Sequence, residues 1–479
     1  MVFSSAVFLF VFLPVVYLLY RLIPMRTGKN LLLALSSILF YAFGQLQYVP
    51  LFLGSILLNY FSGLLLIRAD KLSRRKLFLA ISVILNIALL CVFKYTDFII
   101  AELNRGFSLS LPKSGLDLPA IGISFFTFQG MSYVIDTYRD PKGGTKNFLK
   151  LLLYISFFPQ LIAGPIVKYH DIAEQIDNRT ETLEETVLGI QRFIKGLAKK
   201  VLIANAVGYI ADRVFNVCLP GGIHDWRLMW LGGICYTLQI YYDFSGYSDM
   251  AIGMGHMFGF QFRENFLHPY GAASLKEFWR RWHISLSSWF KEYLYIPLGG
   301  NRKGKVRTVL NKLIVFFATG IWHGANWTFV FWGMGHGLLS SLEDLGVIPA
   351  KKLEKSKLGR IVAKTYTLLA VMLLFVIFRA NTIADGLSLI RYMFVGRADV
   401  YSSYLLQSLL SPAAILFLVL AVLFAGNLPV KLRNCLEKSA FVTTGTYRLF
   451  SLLLSLMLYT LCVMDLARGG FNPFIYFQF

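Results

Sequence analysis

The stretch Thr319-Gly-Ile-Trp-His-Gly-Ala-Asn-Trp-Thr-Phe-Val-Phe-Trp-Gly333 places a histidine, His323, inside a segment that is otherwise apolar enough to lie in a membrane. An ionisable side chain at membrane depth is energetically expensive, so such residues usually serve a function. A second histidine, His283, lies upstream in the aromatic segment Phe278-Trp-Arg-Arg-Trp-His-Ile-Ser-Leu-Ser-Ser-Trp-Phe290. Two histidines in a lipid-embedded chain point to proton chemistry or to a metal site.

The composition around this stretch predicts an all-α polytopic membrane protein. Of the 479 residues 56% are hydrophobic and only 15% are charged, which is too apolar for an ordinary soluble fold. Apolar stretches of roughly 17 to 25 residues can cross the hydrocarbon core. Such stretches are predicted at 2–20, 31–43, 49–67, 76–93, 119–135, 148–162, 201–217, 228–242, 309–321, 327–342, 361–378, 404–424 and 448–464. Several are short, which favours tilted, broken or re-entrant segments.

The net charge of +21 does not indicate nucleic acid, because the basic residues concentrate in loops that alternate along the predicted spans. The basic clusters are 21–29, 68–76, 139–150, 195–200, 302–307, 351–360 and 431–448. Placing them all in the cytoplasm predicts that both termini lie outside. The first apolar segment lacks a charged leader and a cleavage site, so a retained helix is expected. The five cysteines show no metal-binding spacing and are expected to be small core residues.

The organisation of the chain predicts one integral domain, residues 1–479, because no linker or internal repeat interrupts it. Three regions break the alternation of helix and loop. Residues 157–165 carry two prolines within an apolar run and are expected to be re-entrant. Residues 169–200 show helical spacing of apolar and acidic residues, which predicts an amphipathic helix at the cytoplasmic surface. Residues 243–307 are polar and aromatic and are expected to line a chamber.

The other histidines are weaker candidates. No pair of histidines has the HxxxH or HExxH spacing of a metal site, so no metal is predicted. His336 follows His323 by 13 residues, which corresponds to about 20 Å if both lie on one straight helix. His336 is therefore expected to lie outside the same site. His256 and His268 are likewise weaker candidates than His323 and His283.

Several blocks of sequence, in this order, resemble the membrane-bound O-acyltransferase superfamily. They are Tyr242-Asp-Phe-Ser-Gly-Tyr-Ser-Asp-Met-Ala251, Glu264-Asn-Phe-Leu-His-Pro-Tyr270, the aromatic segment around His283, Tyr295-Ile-Pro-Leu-Gly-Gly-Asn-Arg302 and Trp322-His-Gly-Ala-Asn-Trp327. The likeness is strongest to the branch that acetylates alginate and runs over residues 2–479. A related branch transfers D-alanine to teichoic acids.

The resemblance implies a ring of tilted transmembrane helices with re-entrant segments around a central channel. A cytoplasmic tunnel would admit the acyl donor and an outer funnel the acceptor. His323 occupies the position of the family's essential histidine, where a neutral imidazole could act as general base. His283 stands where other branches carry Asn or Asp. Catalytic assistance, by orienting the donor or stabilising an oxyanion, and a structural hydrogen bond both remain open for it.

Arg280, Arg281 and Arg302 form a basic fringe that would suit the phosphates of a donor. The alternative is ordinary positive-inside charge. Acetyl-CoA is the expected donor substrate, and no bound cofactor is expected.

The carboxyl terminus, Phe474-Ile-Tyr-Phe-Gln-Phe479, resembles the end of a small accessory subunit of the D-alanine branch. It is either an aromatic anchor at the membrane interface or a segment that presents Tyr476 to the channel as an acyl acceptor.

The predicted function is therefore membrane O-acyl transfer in the cell membrane of a bacterium. An acetyl group would pass from a cytoplasmic thioester across the lipid bilayer to an exported polysaccharide such as alginate, through a secreted or membrane-anchored SGNH-type acetyltransferase. The alternatives are D-alanyl transfer to teichoic acid and a proton-coupled transporter.

Overall fold

The computed structural model describes residues 1–115, 121–218, 222–437 and 445–472, and within these ranges the chain forms helices and no strand. Two compact units are distinguished, and they are described separately. Unit 1 comprises Met1–Phe193 and Ser248–Arg263, and unit 2 comprises Ile194–Tyr247 and Glu264–Phe479. The all-helical architecture confirms the predicted fold class, while the single domain stays a prediction.

The helices of unit 1 are α1 Leu13–Leu22, α2 Arg26–Gln45, α3 Val49–Arg68, α4 Leu72–Leu90, α5 Thr96–Phe107, α6 Ile123–Arg139, α7 Phe148–Ser156, α8 Phe158–Leu161 and α9 Tyr169–Asp177. Two helices contribute to both units: α10 Leu183–Ala198 and α12 Trp226–Met257. Those of unit 2 are α11 Asn205–Cys218, α13 Leu275–Arg281, α14 Ile284–Phe290, α15 Gly304–His323, α16 Trp327–Leu345, α17 Ala350–Leu353, α18 Lys357–Arg379, α19 Ile383–Val395, α20 Val400–Leu409, α21 Pro412–Ala425, α22 Leu428–Glu437 and α23 Gly445–Ala467. Single π-helical turns occupy Phe8–Phe12, Cys91–Tyr95, Lys199–Ala204 and Lys291–Tyr295, and 3₁₀ turns occupy Leu46–Tyr48, Pro141–Gly143 and Pro269–Gly271.

Five helical segments of the described chain are long and apolar enough to cross a membrane. They are Arg26–Arg68, Leu72–Phe107, Leu183–Cys218, Lys357–Arg379 and Gly445–Ala467. A sixth span is possible if α20 and α21, which meet at an angle of 73°, are counted together. The other predicted stretches form shorter or more polar helices, and these include α15 and α16. A multi-pass membrane protein is therefore confirmed.

Helix α2 has an exposed apolar side and a buried polar side, as expected for a helix in contact with lipid. The apolar residues on one side of α2 recur every four positions and are exposed: Leu31, Leu35, Leu39 and Phe43. The opposite side buries the polar residues Asn30, Ser36 and Ser37. An exposed apolar stripe would be unfavourable in water, but lipid is as apolar as the stripe. Polar groups thus lie inside the protein, where they find partners.

A reciprocal amide pair joins α3 to α4 inside unit 1. The Nδ2 of Asn59 donates to Oδ1 of Asn86 at 3.1 Å, and the Nδ2 of Asn86 donates to Oδ1 of Asn59 at 3.0 Å. Both side chains are buried. A Cβ at Gly130 on α6 would lie 2.3 Å from the Asn59 amide nitrogen, so glycine is needed there for α6 to approach the pair. Small residues and polar pairs of this kind hold membrane helices together.

The predicted surface helix at 169–200 is corrected by the structure. Only α9 is a separate short helix, and it buries Ile172 and Ile176. The second half, α10, continues through the π-helical turn Lys199–Ala204 into α11, giving the 36-residue span Leu183–Cys218. Of the acidic residues that suggested a surface helix, Glu174 and Asp177 lie on α9, and Glu184 and Glu185 lie in the first turn of α10. Part of the polar signal therefore came from one end of a long span.

The two other irregular regions are partly as predicted. In 157–165 the helix α7 ends at Ser156, the short helix α8 follows, and every residue of this stretch is buried. Backbone that leaves the helix at membrane depth has to be buried in protein, where its polar groups find partners. In 243–307 the prediction of irregular backbone is wrong for the first part, because Asp243 lies within the regular helix α12. Extended chain and turns begin after Met257, and the short helices α13 and α14 follow.

A buried ion pair fastens the beginning of the π-helical turn to α12 within unit 2. The Nζ of Lys200 lies 2.8 Å from Oδ1 of Asp243, and both side chains are almost fully buried. A Cβ at Gly246 would lie 2.7 Å from the carbonyl oxygen of Gly196. The backbones of α12 and α10 are therefore in close contact about one turn from the ion pair. Burial of two charges is tolerable because each compensates the other.

Replacing Asn86 by Leu is expected to lower stability, because Leu has a similar volume but leaves Oδ1 of Asn59 without its donor. The expected loss is about 0.6 to 2 kcal/mol, measured as a lower thermal unfolding midpoint in detergent. The control is Leu85→Ala, since Leu85 is exposed on the same helix. Equal midpoints for the two variants would show that the amide pair does not stabilise the α3–α4 packing.

Candidate active site

The hairpin of α15 and α16 places His323 at the last residue of α15. The two backbones are in contact at glycines: a Cβ at Gly320 would lie 2.5 Å from the carbonyl oxygen of Phe329, and one at Gly333 would lie 2.3 Å from that of Phe316. The chain reverses at residues 324–326, and the side chain of Asn326 caps α16 by accepting from the Thr328 amide at 3.1 Å. His323 is therefore held at a rigid helix end.

Aromatic rings surround the His323 imidazole on several sides. The ring centroids of Trp322, Trp332 and Phe378 lie 5.0, 5.0 and 5.3 Å from it, all nearly perpendicular to its plane. The residue is only 7% exposed. Such surroundings exclude water and disfavour a charged ring, so a neutral imidazole with a lone pair is the resting form suited to this position.

His283 is held in an uncommon backbone conformation between α13 and α14. Its φ of 44° lies in the left-handed region, which few non-glycine residues adopt. Asn265 stabilises the turn: its backbone oxygen accepts from the Ile284 amide at 3.0 Å, and its Oδ1 accepts from the amide and the hydroxyl of Ser285 at 3.0 and 2.9 Å. Strain of this kind persists only where the surroundings enforce it, and it is typical of functional sites.

The structure brings the two predicted histidines into one cluster. The ring of Trp322 lies 5.8 Å from the His283 ring and 5.0 Å from the His323 ring. The His283 ring is also perpendicular to Phe244 on α12 at 4.5 Å. His283 is 1% exposed. Helix α12, the turn between α13 and α14, and helix α15 thus supply one buried aromatic site with two imidazoles.

Several buried polar atoms beside His283 have no hydrogen-bond partner among the described residues. They are Nε2 of His283, Nδ2 of Asn265 and Oγ of Ser287, which follows His283 by one turn of α14. Buried polar atoms of proteins are usually satisfied by protein, water or ligand. These atoms are therefore able to hydrogen-bond the polar part of a substrate.

A polar cavity adjoins the His323 end of the hairpin, and the sequence analysis did not identify it as a site. Its volume is about 330 Å³, and it is lined by Ala325, Asn326, Phe329, Phe378, Arg379, Ala380 and Asn381. Arg379 pairs with Asp212 of α11 at 3.0 Å. Phe378 contributes both to this cavity and to the ring cluster around His323. An arginine that ends the long apolar helix α18 is the sequence signal that could have indicated it.

The three arginines of the predicted basic fringe differ in their contacts. Arg281 pairs with Glu277 one turn earlier on α13, whereas Arg280 and Arg302 are exposed. Tyr476, the predicted acyl acceptor, lies outside the described residues. A donor-binding role for the arginines and an acceptor role for Tyr476 therefore stay predictions.

The expectation for His336 is wrong about distance. His323 ends α15 and His336 lies on the next helix, α16, so the two are not separated along one helix. The Trp332 ring lies 5.0 Å from each imidazole centroid. The two histidines are thus no more than twice that distance apart. His256 instead pairs with Glu185 at 2.6 Å within unit 1.

Comparison with known proteins identifies the family of this chain. The sequence profile of MBOAT, the membrane-bound O-acyltransferase family, matches residues 122–347. The chain is 37% identical to the probable alginate O-acetylase AlgI of Pseudomonas putida over the full length of both proteins. It is 37% identical to the peptidoglycan O-acetyltransferase of Helicobacter pylori over 82% of this chain and 80% of that protein.

A more distant similarity links the chain to the teichoic acid D-alanyltransferase of Bacillus subtilis, with 30% identity over 46% of this chain and 57% of that protein. The chain belongs to the membrane-bound O-acyltransferase family and is an O-acyltransferase. Membership of this family favours an enzyme over the proton-coupled transporter that the sequence left open.

Replacing Asn265 by Ala is expected to release the turn that holds His283, because two hydrogen bonds to Ser285 are lost. A loss of about 1 kcal/mol or more would raise the rate of carbethoxylation at His283 roughly fivefold or more. The rate is measured by mass spectrometry of the His283 peptide after treatment with diethyl pyrocarbonate. Ser288→Ala is the control, since that hydroxyl donates to the Ser285 carbonyl within α14. An unchanged rate in Asn265→Ala would mean that Asn265 does not hold His283.

Proposed function

We propose that this enzyme transfers an acetyl group from a cytoplasmic thioester, acetyl-CoA, across the membrane for O-acetylation of an exported polysaccharide such as alginate. The observation that carries the proposal is the buried cluster in which Trp322 contacts both His283 and His323. Similarity to an alginate O-acetylase over the full length of the chain supports the acetyl group and the polysaccharide.

In the proposed reaction His323 is the general base. An acceptor hydroxyl attacks the thioester carbonyl carbon while its proton passes to the neutral His323 ring. The tetrahedral intermediate then collapses, the carbon–sulfur bond breaks, and the leaving thiolate takes the proton from the imidazolium. The aromatic rings around His323 support this role because they exclude water that would hydrolyse the thioester.

His283 is proposed to orient the donor. Oγ of Ser285 donates its proton to Asn265, so its lone pair faces Nδ1 of His283 at 3.5 Å. This arrangement favours a proton on Nδ1 and leaves Nε2 as an acceptor. An amide N–H in the pantetheine arm of the donor would then hydrogen-bond to Nε2. Of the roles that the sequence left open, orientation of the donor is better supported than stabilisation of an oxyanion.

The exposed Arg280 and Arg302 and the half-buried Arg281 are proposed to attract the donor's phosphates at the cytoplasmic mouth. With the basic loops in the cytoplasm of a bacterium, both termini would lie outside the inner membrane. His323 would then be at the outer end of α15, beside the cavity of Asn326 and Arg379. That cavity joins polar groups to the faces of Phe329 and Phe378, a combination suited to a sugar hydroxyl and ring.

A secreted or membrane-anchored SGNH-type acetyltransferase is the proposed partner, and Tyr476 is proposed to carry the acetyl group to it. The phenol oxygen would attack the thioester carbonyl, give its proton through His323 to the thiolate, and later pass the acetyl group to a hydroxyl of the partner. The neighbouring contacts of the chain support this. Asn205 Nδ2 lies 3.2 Å from Asn472 Oδ1, and the ring of Phe471 lies 6.0 Å from that of Tyr209.

These contacts hold the last described residues, Phe471 and Asn472, against α11. Asn205, Tyr209 and Asp212 share one face of α11 because they are spaced by four and three residues. Asp212 in turn pairs with Arg379, which lines the cavity. Tyr476 follows Asn472 by four residues, which can span up to about 14 Å when extended. The proposed path from Asn472 therefore leads along α11.

Replacing His323 by Ala is expected to reduce acetyl transfer from acetyl-CoA at least about a hundredfold, with normal abundance in the membrane.

His283→Ala should raise KM for acetyl-CoA more than it lowers kcat, and His283→Asn should restore part of the loss because its amide oxygen can accept a hydrogen bond. His256→Gln is the control, since His256 pairs with Glu185 outside the ring cluster. Transfer that survives in His323→Ala, or that requires a D-alanyl carrier protein, would contradict the proposed function.

Tyr476→Phe removes one oxygen and retains the ring, so it separates an acyl acceptor from a membrane anchor. We expect loss of polymer acetylation with normal membrane abundance. Mass spectra of the wild-type chain incubated with acetyl-CoA should show an acetyl adduct on the terminal peptide. The control is the double variant Phe474→Tyr with Tyr476→Phe, which moves the phenol from position 476 to position 474. Full polymer acetylation by Tyr476→Phe would leave direct transfer to the partner or the polymer.

A further inference from the structure

We propose that His336 is a positioning residue for acyl transfer, which holds Trp332 against His323 and holds α13, the helix that leads to His283. The proposal rests on the proposed function and concerns a histidine that neither the sequence motifs nor the mechanism above uses. His336 lies on α16, is 0% exposed and is enclosed by aromatic rings of α13, α15 and α16.

A hydrogen bond defines the state of the His336 ring. Nε1 of Trp279 on α13 donates to Nδ1 of His336 at 3.3 Å. The indole nitrogen can only donate, so Nδ1 must carry a lone pair. The ring is therefore neutral, with its proton on Nε2. Phe278 lies parallel to the ring at 6.0 Å and Phe316 at 6.4 Å. A buried ring that has two nearly parallel rings beside it and accepts a hydrogen bond has little freedom to rotate.

Trp332 links this fixed ring to the proposed base. Its indole stands nearly perpendicular to His323, at 87° and 5.0 Å, and at 74° and 5.0 Å to His336. Trp332 and His336 are one turn apart on α16 and lie on the same face. Because Trp332 is 1% exposed, its ring can rotate only if a neighbour gives way. His336 is a neighbour of Trp332 that a hydrogen bond fixes to another helix, α13.

The same face of α16 also anchors α13. Two turns after His336, the carboxylate of Glu343 accepts from the amides of Leu275 and Lys276 at 2.8 and 3.2 Å. Glu343 thus holds the start of α13, and His336 holds Trp279 one turn later. Helix α13 ends at Arg281, two residues before His283. One face of α16 therefore sets the position of both proposed site histidines, His323 through Trp332 and His283 through α13.

The decisive variants are His336→Phe and His336→Asn. Phe keeps a ring of similar size but cannot accept the Trp279 N–H, whereas the Asn amide oxygen can stand close to the place of Nδ1. We expect His336→Phe to lower kcat for acetyl transfer about tenfold, equal to about 1.4 kcal/mol, with a smaller rise in KM for acetyl-CoA because α13 also leads to His283. His336→Asn should recover most of kcat. Ser341→Ala, which loses a hydroxyl bonded to the Gly337 carbonyl on the same buried helix, should leave kcat unchanged.

A second variant keeps the test valid if His336→Phe does not fold. Trp279→Phe removes the donor of the same hydrogen bond and should lower kcat by a similar factor. In a folded double variant, Trp279→Phe with His336→Phe, the loss should equal that of either single variant, because both remove one interaction. Additive losses, absence of rescue by Asn, or an unchanged kcat in both single variants would overturn the positioning role.

A spectroscopic measurement separates this proposal from the proposed function. In wild-type protein with ¹⁵N-labelled histidine, His336 should show an unprotonated Nδ1 and a protonated Nε2, and Trp279→Phe should shift the Nδ1 resonance. A wild-type chain that shows this signal but does not acetylate would contradict the proposed function alone. An active wild-type chain whose His336 is protonated on Nδ1 would contradict the positioning role alone.

Discussion

The close contact between α15 and α16 is the constraint on which the site depends. At Gly320 and Gly333 the backbone of each helix lies where a Cβ would have to be, and at Gly337 a Cβ would lie 3.0 Å from the side chain of Phe316. Because the two helices touch at the backbone, the short loop between them has little freedom. His323 consequently stands at a defined height beside Trp332. A larger residue at either contact would separate the helices and move the imidazole away from the rings that enclose it.

Polar and apolar side chains are distributed in this protein as a lipid environment requires, because lipid tails cannot form hydrogen bonds. On α2 the apolar stripe is exposed and the serines face inward, and between α3 and α4 two asparagines satisfy each other. The same logic accounts for the buried pair of Lys200 and Asp243. A charge left alone at that depth would be very unfavourable, whereas the pair fastens the π-helical turn to α12. The residue after Asp243 is Phe244, whose ring meets His283.

The two site histidines are held by different means, and this difference agrees with different tasks. His323 is enclosed by rings and belongs to a regular helix, so its lone pair is positioned in an apolar space. His283 is held by an amide network in a left-handed turn, beside polar atoms that can bond a substrate. A proton acceptor benefits from the first environment and a group that binds a polar donor benefits from the second. His336 lies beside Trp332 and is anchored to α13 by Trp279.

The sequence by itself determined the class of the protein and indicated two candidate site histidines. Hydropathy and the loop charges sufficed for a multi-pass helical membrane protein, because lipid makes each polar residue a strong signal. His323 and His283 stood out for the same reason. Only the tertiary structure decided that 169–200 divides into a short helix and a long span, and that Asp243 lies in a regular helix. It also brought Trp279 to His336 and paired Arg379 with Asp212. These results depend on where helices end and which faces meet. Packing between segments that are distant in sequence decides both features. Neither the periodicity nor the composition of a single segment predicts them.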